Sequence, residues 1–165
     1  AYTLGIPNAE VARGLSRALV RHAAPQALGE VGGLVRTISR SLRVGDMEDA
    51  LQATKAFMAG MPYHLGSHSE RGFQTTFWLI FTLLGAQIDT EVQTATGRVD
   101  ALVKMPDSIY VLEFKYNKSA QEALAQINSK GYLLPYKADG RKLYKVGVNF
   151  SEESQTLEDW IIEEG

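Results

Sequence analysis

Residues 97–115 run Gly97-Arg98-Val99-Asp100-Ala101-Leu102-Val103-Lys104-Met105-Pro106-Asp107-Ser108-Ile109-Tyr110-Val111-Leu112-Glu113-Phe114-Lys115. Pro106-Asp107-Ser108 is turn chemistry, so strands are predicted on either side of it, from Arg98 to Met105 and from Ile109 to Tyr116. The two-residue period of a strand puts Ile109, Val111, Glu113 and Lys115 on one face, and Tyr110, Leu112 and Phe114 on the other. A carboxylate and an ammonium therefore stand side by side on a face that otherwise reads as buried. Taken alone, they are more simply an ion pair at a strand end, because buried charge is costly unless paired or bound to a metal. Asp100 reverses that balance. Asp is depleted in strands, and an antiparallel meander can bring Asp100 across from Glu113. Two carboxylates repel unless a proton or a divalent cation lies between them. Oxygen donors of this kind suit Mg²⁺, which takes one or two carboxylates together with water and substrate phosphate. Lys115 would point at the same spot, able to hold a phosphate oxygen or lower the pKa of an attacking water.

The flanking sequence supplies the rest of a fold. Upstream, Ser67 and Glu70 have capping-box spacing and open a predicted helix to about Leu84. Phe73, Phe77, Trp78, Ile80, Phe81 and Leu84 make it apolar nearly all round, hence central and buried. Gln87 to Thr94 alternates Ile88, Thr90 and Val92 with Asp89, Glu91 and Gln93, a strand with one wet face. Ala95-Thr96-Gly97 turns the chain into the strand that carries Asp100. Downstream, Ser119 and Glu122 form a second capping box, and Ala120, Ala123, Leu124 and Ile127 form the stripe of a helix ending at Gly131. Asp139-Gly140 precedes a fourth strand, Lys142 to Phe150, and a short acidic helix is predicted around Leu157, Trp160 and Ile161. The core order is α-β-β-β-α-β, an α/β fold of the α+β kind with a mixed sheet.

Residues 1–66 read differently. The chain opens at Ala1 without an initiator Met, on Tyr2-Thr3-Leu4-Gly5-Ile6-Pro7-Asn8, which reads as a strand end and a turn, and so as a piece of a longer protein. Asn8 is placed to cap a helix with Val11, Leu15, Ala18 and Leu19 on one face and Arg13, Arg17 and Arg21 on another. Pro25 is predicted to break that helix, Leu34 to Leu42 to form a second, and Asp46 to cap a third running to about Ala59. The expected division is a helical extension over 1–66 and a sheet domain over 67–165.

Composition narrows the class. The chain has 165 residues, 45% hydrophobic and 22% charged, within the range of globular proteins and unlike a disordered chain. The longest apolar stretch, Phe77 to Ala86, is too short to cross a bilayer, so no membrane association is expected. The absence of cysteine excludes disulfides, thiolate zinc sites and a Cys nucleophile, and fits a reducing, cytoplasmic setting. Residues 97–150 carry 9 basic and 5 acidic side chains, whereas residues 151–165 carry 6 acidic and no basic ones. That asymmetry is either a weak polyanion-binding surface or a solvated face. No phosphate-binding Gly-rich loop and no nucleophile elbow are present. His64 and His68 lack a third ligand, and the Arg13, Arg17 and Arg21 row reads as a solvated or interdomain face.

Asp100 followed by Glu113-Phe114-Lys115 resembles the D…E-x-K signature of the PD-(D/E)XK nuclease superfamily, whose restriction-endonuclease-like core has this α-β-β-β-α-β order. Val99 stands where the superfamily's name has Pro. Glu70 lies in the first core helix, where many members keep an acid near the metal, although it serves equally well as a capping-box residue. Gln126 and Tyr132 resemble the Gln…Tyr element of the exonuclease-like branch, at longer spacing. Gly97-Arg98-Val99-Asp100, Ala123-Leu124-Ala125-Gln126-Ile127 with Lys130-Gly131-Tyr132, and Val146-Gly147-Val148-Asn149-Phe150-Ser151 are similar to one subgroup. It is the nuclease-like domain found C-terminal to an AAA-ATPase-like domain in bacterial proteins.

The resemblance implies a Mg²⁺- or Mn²⁺-dependent nuclease acting on DNA, joined in the full-length chain to an ATPase-like domain. Asp100, Glu113 and the Phe114 carbonyl would bind metal, with Glu70 joining through water. Lys115 would orient and activate the attacking water, and Gln126 would position Lys115 or the phosphate. Arg98, Lys118, Lys130 and Tyr132 would contact the substrate. The competing reading is a non-catalytic nucleic-acid-binding or interdomain regulatory module on the same fold. Neither reading specifies DNA over RNA, endo- over exonucleolytic cutting, or an oligomeric state.

Overall fold

The computed structural model describes residues 25–60, 70–95 and 98–165. The expected helix after Asn8, the Arg13, Arg17 and Arg21 row, His64, His68 and Ser67 lie outside them. In chain order the elements are α1 (Pro25–Arg43), α2 (Met47–Ala59), α3 (Glu70–Leu84), β1 (Asp89–Ala95), β2 (Arg98–Lys104), β3 (Ser108–Tyr116), α4 (Ala120–Lys130), a 3₁₀ turn (Leu134–Tyr136), β4 (Lys142–Ser151) and β5 (Thr156–Glu164). The five strands form one mixed sheet in the order β1-β2-β3-β4-β5. β1, β2 and β3 are an antiparallel meander, β3 and β4 run parallel through the α4 crossover, and β5 returns antiparallel to β4. This is the α/β architecture, with a restriction-endonuclease-like core, that the order of elements predicts.

Each face of β3 finds its own partner. Tyr110, Leu112 and Phe114 enter a large core with Phe73, Phe77, Ile80, Phe81 and Leu84 of α3. Ile109 and Val111 face the other way, onto Ile127 of α4, Leu133 and Leu143. Both faces are covered, and β3 is buried from Ser108 to Lys115. The larger core continues without a break into Leu34, Val35, Ile38 and Leu42 of α1 and Met47, Ala50, Leu51 and Met58 of α2. Residues 25–59 and 70–165 therefore share one hydrophobic interior. Local signals work as read at two helix starts. Asp46 Oδ1 accepts from Asp49 N at 2.9 Å, and Ser119 Oγ accepts from Glu122 N at 3.1 Å.

Two expectations need correction. The helix expected from Leu34 begins already at Pro25, and α1 runs through the glycine-rich segment to Arg43. Pro suits the first helical position, where its missing N–H is an orphan in any case. The buried stripe of Leu34, Val35, Ile38 and Leu42 outweighs the poor propensity of Gly29, Gly32 and Gly33. The second correction concerns residues 156–164, which form strand β5 and not a helix. Leu157 pairs with Phe150, Asp159 with Asn149 and Trp160 with Val148, so the register slips by one residue at Glu158. That bulge puts Leu157 and Trp160 against the same core, an i, i+3 spacing that imitates a helix, and Ile162 follows at the strand period. Among the described residues, no helix is long and apolar enough to cross a membrane.

Candidate active site

The β2–β3 register sets Asp100 directly opposite Glu113, while the parallel β3–β4 register sets Glu113 beside Gly147 and Lys115 beside Asn149. Gly147 decides how deep this site lies. A Cβ there would stand 2.5 Å from Ala120 O and 2.8 Å from Leu124 N, so only glycine lets α4 settle onto β4 at this point. Ala120 and Ala123, small and fully buried, complete the contact. The close seat of α4 leaves the Glu113 side chain 0% exposed and Lys115 8% exposed. Lys115 Nζ lies 3.1 Å from Glu113 Oε1 and donates to Gln126 Oε1, which α4 brings over from the helix side. From the other flank, the Tyr132 hydroxyl donates to Asp100 Oδ2 at 3.1 Å.

Neither Glu113 oxygen accepts a well-formed hydrogen bond from a described residue, and Lys115 reaches Oε1 only as an ion pair. Burial, and next the adjacent Asp100 carboxylate, push Glu113 up to about 7 from an ordinary 4.5, against the opposing pull of Lys115. A buried carboxylate with spare lone pairs, facing a second carboxylate, is an all-oxygen donor set of the kind hard divalent cations take. Among the described residues no group of three or more His, Asp or Glu side chains gathers. The set thus fits a Mg²⁺ or Mn²⁺ ion that draws its other ligands from main chain, water and substrate, rather than an all-protein cage.

The structure brings Asp100, Glu113, Lys115, Gln126 and Tyr132 together. The other candidates fall elsewhere. Glu70 opens α3, where Gln74 Nε2 donates to its Oε1 at 3.4 Å. Burial and then the charges of Glu152 and Glu70 raise the phenol of Tyr116, which shares a β3 face with Phe114 and not with Glu113. Phe114 carries its ring into the α3 core, and its carbonyl lies between the two charged residues. Lys118 is exposed, its N–H bound to Asn149 Oδ1 at 2.9 Å. Lys130 is exposed at the end of α4, with Nζ 5.6 Å from the centre of the Tyr132 ring. Arg98 pairs through its backbone with Lys115, and its side chain lies outside what the structure describes.

Two participants were given no role in the sequence reading. Gly147 seats α4, and the signal available was a glycine inside an apolar strand. Asn149, buried beside Lys115, anchors the β3–α4 loop through Lys118 N, and only the sheet register identifies it.

A model of the PD-(D/E)XK nuclease superfamily matches residues 68–160, which include every one of these side chains. A protein of Azotobacter chroococcum mcd 1, named the uncharacterized protein in the vnfD 5′ region, is 28% identical over 172 residues. That alignment takes in 98% of this chain and 33% of the relative, so the chain spans about a third of the relative's length. No solved structure matches.

Proposed function

This chain belongs to the PD-(D/E)XK nuclease superfamily, whose members typically use divalent metal ions, and from that premise we propose that it hydrolyses phosphodiester bonds in DNA. One observation carries the reading: a fully buried Glu113 faces Asp100 and holds Lys115 at 3.1 Å, three charges gathered where a merely structural strand would carry apolar side chains. In the proposed mechanism Asp100, Glu113 and the Phe114 carbonyl would hold Mg²⁺ or Mn²⁺. The ion, when bound, supplies charge to stabilise the scissile phosphate and its leaving oxygen. Lys115 orients the attacking water and is itself held by Gln126. Tyr132 steadies Asp100. Arg98, Lys118 and Lys130 supply cations for the substrate backbone, which makes binding salt-dependent.

The relative extends well beyond the matched third, which leaves room for the AAA-ATPase-like domain that we place before this one in the full-length protein. The test is cleavage of linear and supercoiled DNA with Mg²⁺ or Mn²⁺, beside Asp100→Asn, Glu113→Gln and Lys115→Met. Loss of cutting in all three, each variant still showing one cooperative melt, is the expected result. Wild-type protein that binds neither metal nor DNA would overturn the proposal and favour a regulatory module.

A further inference from the structure

The segment after α4 contains chemistry that the metal site does not use. From Lys130 to Lys142 it carries Lys130, Lys137, Arg141 and Lys142 against a single acid, Asp139. Asp139 is spent on Arg141, at 2.5 and 2.7 Å. Leu134, in the 3₁₀ turn, is 63% exposed, and Lys137 and Lys142 of the same segment are exposed. Tyr132 and Tyr136 are half-buried, packed on Ile109, Val111, Leu133 and Leu143. Each has a lysine over its ring, Lys130 at 5.6 Å and Lys104 at 5.8 Å.

This segment tracks the strand that carries the site. Asp100, Leu102 and Lys104 share one face of β2, the face of Glu113, Val111 and Ile109 across the β2–β3 register. Tyr132 is hydrogen-bonded to Asp100 at one end of that row, and Tyr136 lies against Lys104 at the other. The row from Asp100 to Lys104 spans four strand steps, about 13 Å. That is about the length of four stacked nucleotides.

We propose that residues 130–142 form a ledge for an unpaired DNA strand next to the scissile phosphate, which narrows the substrate to single-stranded DNA or a frayed end. The inference rests on reading Asp100 and Glu113 as a phosphodiesterase site. Its own warrant is the combination of the exposed Leu134 and the half-buried rings of Tyr132 and Tyr136 with the exposed Lys130, Lys137 and Lys142. A paired duplex keeps its base faces stacked inside and offers this ledge only phosphates. An unpaired strand offers both phosphates for the lysines and flat faces for Leu134 and the tyrosines.

Binding is measured by fluorescence anisotropy in EDTA, so that metal and cutting play no part. The probes are a labelled oligothymidylate of about ten nucleotides and a blunt duplex of about twenty base pairs. The oligothymidylate is expected to bind about tenfold more tightly than the duplex. Tyr136→Leu, which keeps the apolar packing but removes the aromatic face, is expected to weaken it about tenfold. Leu134→Ser, at an exposed position, is expected to weaken it several-fold, while Mn²⁺ binding by calorimetry stays unchanged in both variants. Equal affinity for duplex and single strand, or variants that bind like the wild type, would overturn the ledge. So would binding of neither probe, and the patch would then pass to a protein partner. Metal-dependent cutting that survives such a result leaves the nuclease reading standing, whereas strand binding without any metal site leaves the ledge and removes the nuclease.

Discussion

Replacing Glu113 by Gln in metal-free protein should abolish a specific loss of stability with rising pH. In the folded chain Glu113 is held near 7, against 4.5 for an ordinary glutamate. Between those values the unfolded chain has released the proton that the folded chain still holds, so stability falls as pH rises. The contribution is fully present below pH 4.5 and lost by the time pH has passed 7. At about 1.4 kcal/mol per pH unit, the whole swing is about 3 kcal/mol. In a domain of this size it amounts to roughly 6–12 °C in melting temperature. The amide that Glu113→Gln introduces has no proton to release, and every other titrating group is common to both proteins. Urea unfolding in EDTA at a series of pH values from 4 to about 8.5 therefore reads this carboxyl together with its interaction with Asp100. The wild-type curve should fall away from the variant's by about 3 kcal/mol, and added Mn²⁺ should remove most of that fall, because a cation between the carboxylates favours their charged forms. Parallel wild-type and variant profiles in EDTA would refute the reasoning, and with it the close, buried approach of Glu113 to Asp100.

Three further outcomes follow from the same geometry. Gly147→Ala should destabilise the fold by about 1–3 kcal/mol, because its Cβ lands on the α4 backbone, and it should also loosen Gln126 from Lys115; chemical denaturation and cleavage assays read the two effects. Tyr132→Phe keeps the ring under Lys130 but removes the donor to Asp100, so Mn²⁺ affinity by calorimetry should drop about tenfold while melting changes little. A fragment beginning at residue 67 exposes the α3 face that α1 and α2 cover; it should show no cooperative melt, and a sharp transition would show that the sheet domain folds without residues 25–59.

Much of the site was legible because its signals are local. Asp100 and Glu113 stand out as acids inside apolar strands. The turn at Pro106-Asp107-Ser108 makes the two strands neighbours, and their antiparallel register then sets the acids opposite each other. Ser119 and Gly131 delimit α4 by cap chemistry alone, and the structure keeps both ends. The reading failed where a distant partner reinterprets a local pattern. Residues 157–161 have helical spacing, but β4 was available as an edge and a bulge absorbed the extra residue. Pro25 and the glycines after it look like a break until α2 and α3 offer a core for the stripe of α1.

The sequence by itself determined the α-β-β-β-α-β order of the core, the two faces of β3 and the identity of the charged trio, because periodicity, caps and turns act over only a few residues. Tertiary structure alone decided that α4 presses close enough, over Gly147, to bury Glu113 and deliver Gln126 to Lys115. It alone carried Tyr132 across 32 residues to Asp100. Contacts of that span depend on how elements stack, and no local pattern encodes the distance at which two packed surfaces come to rest.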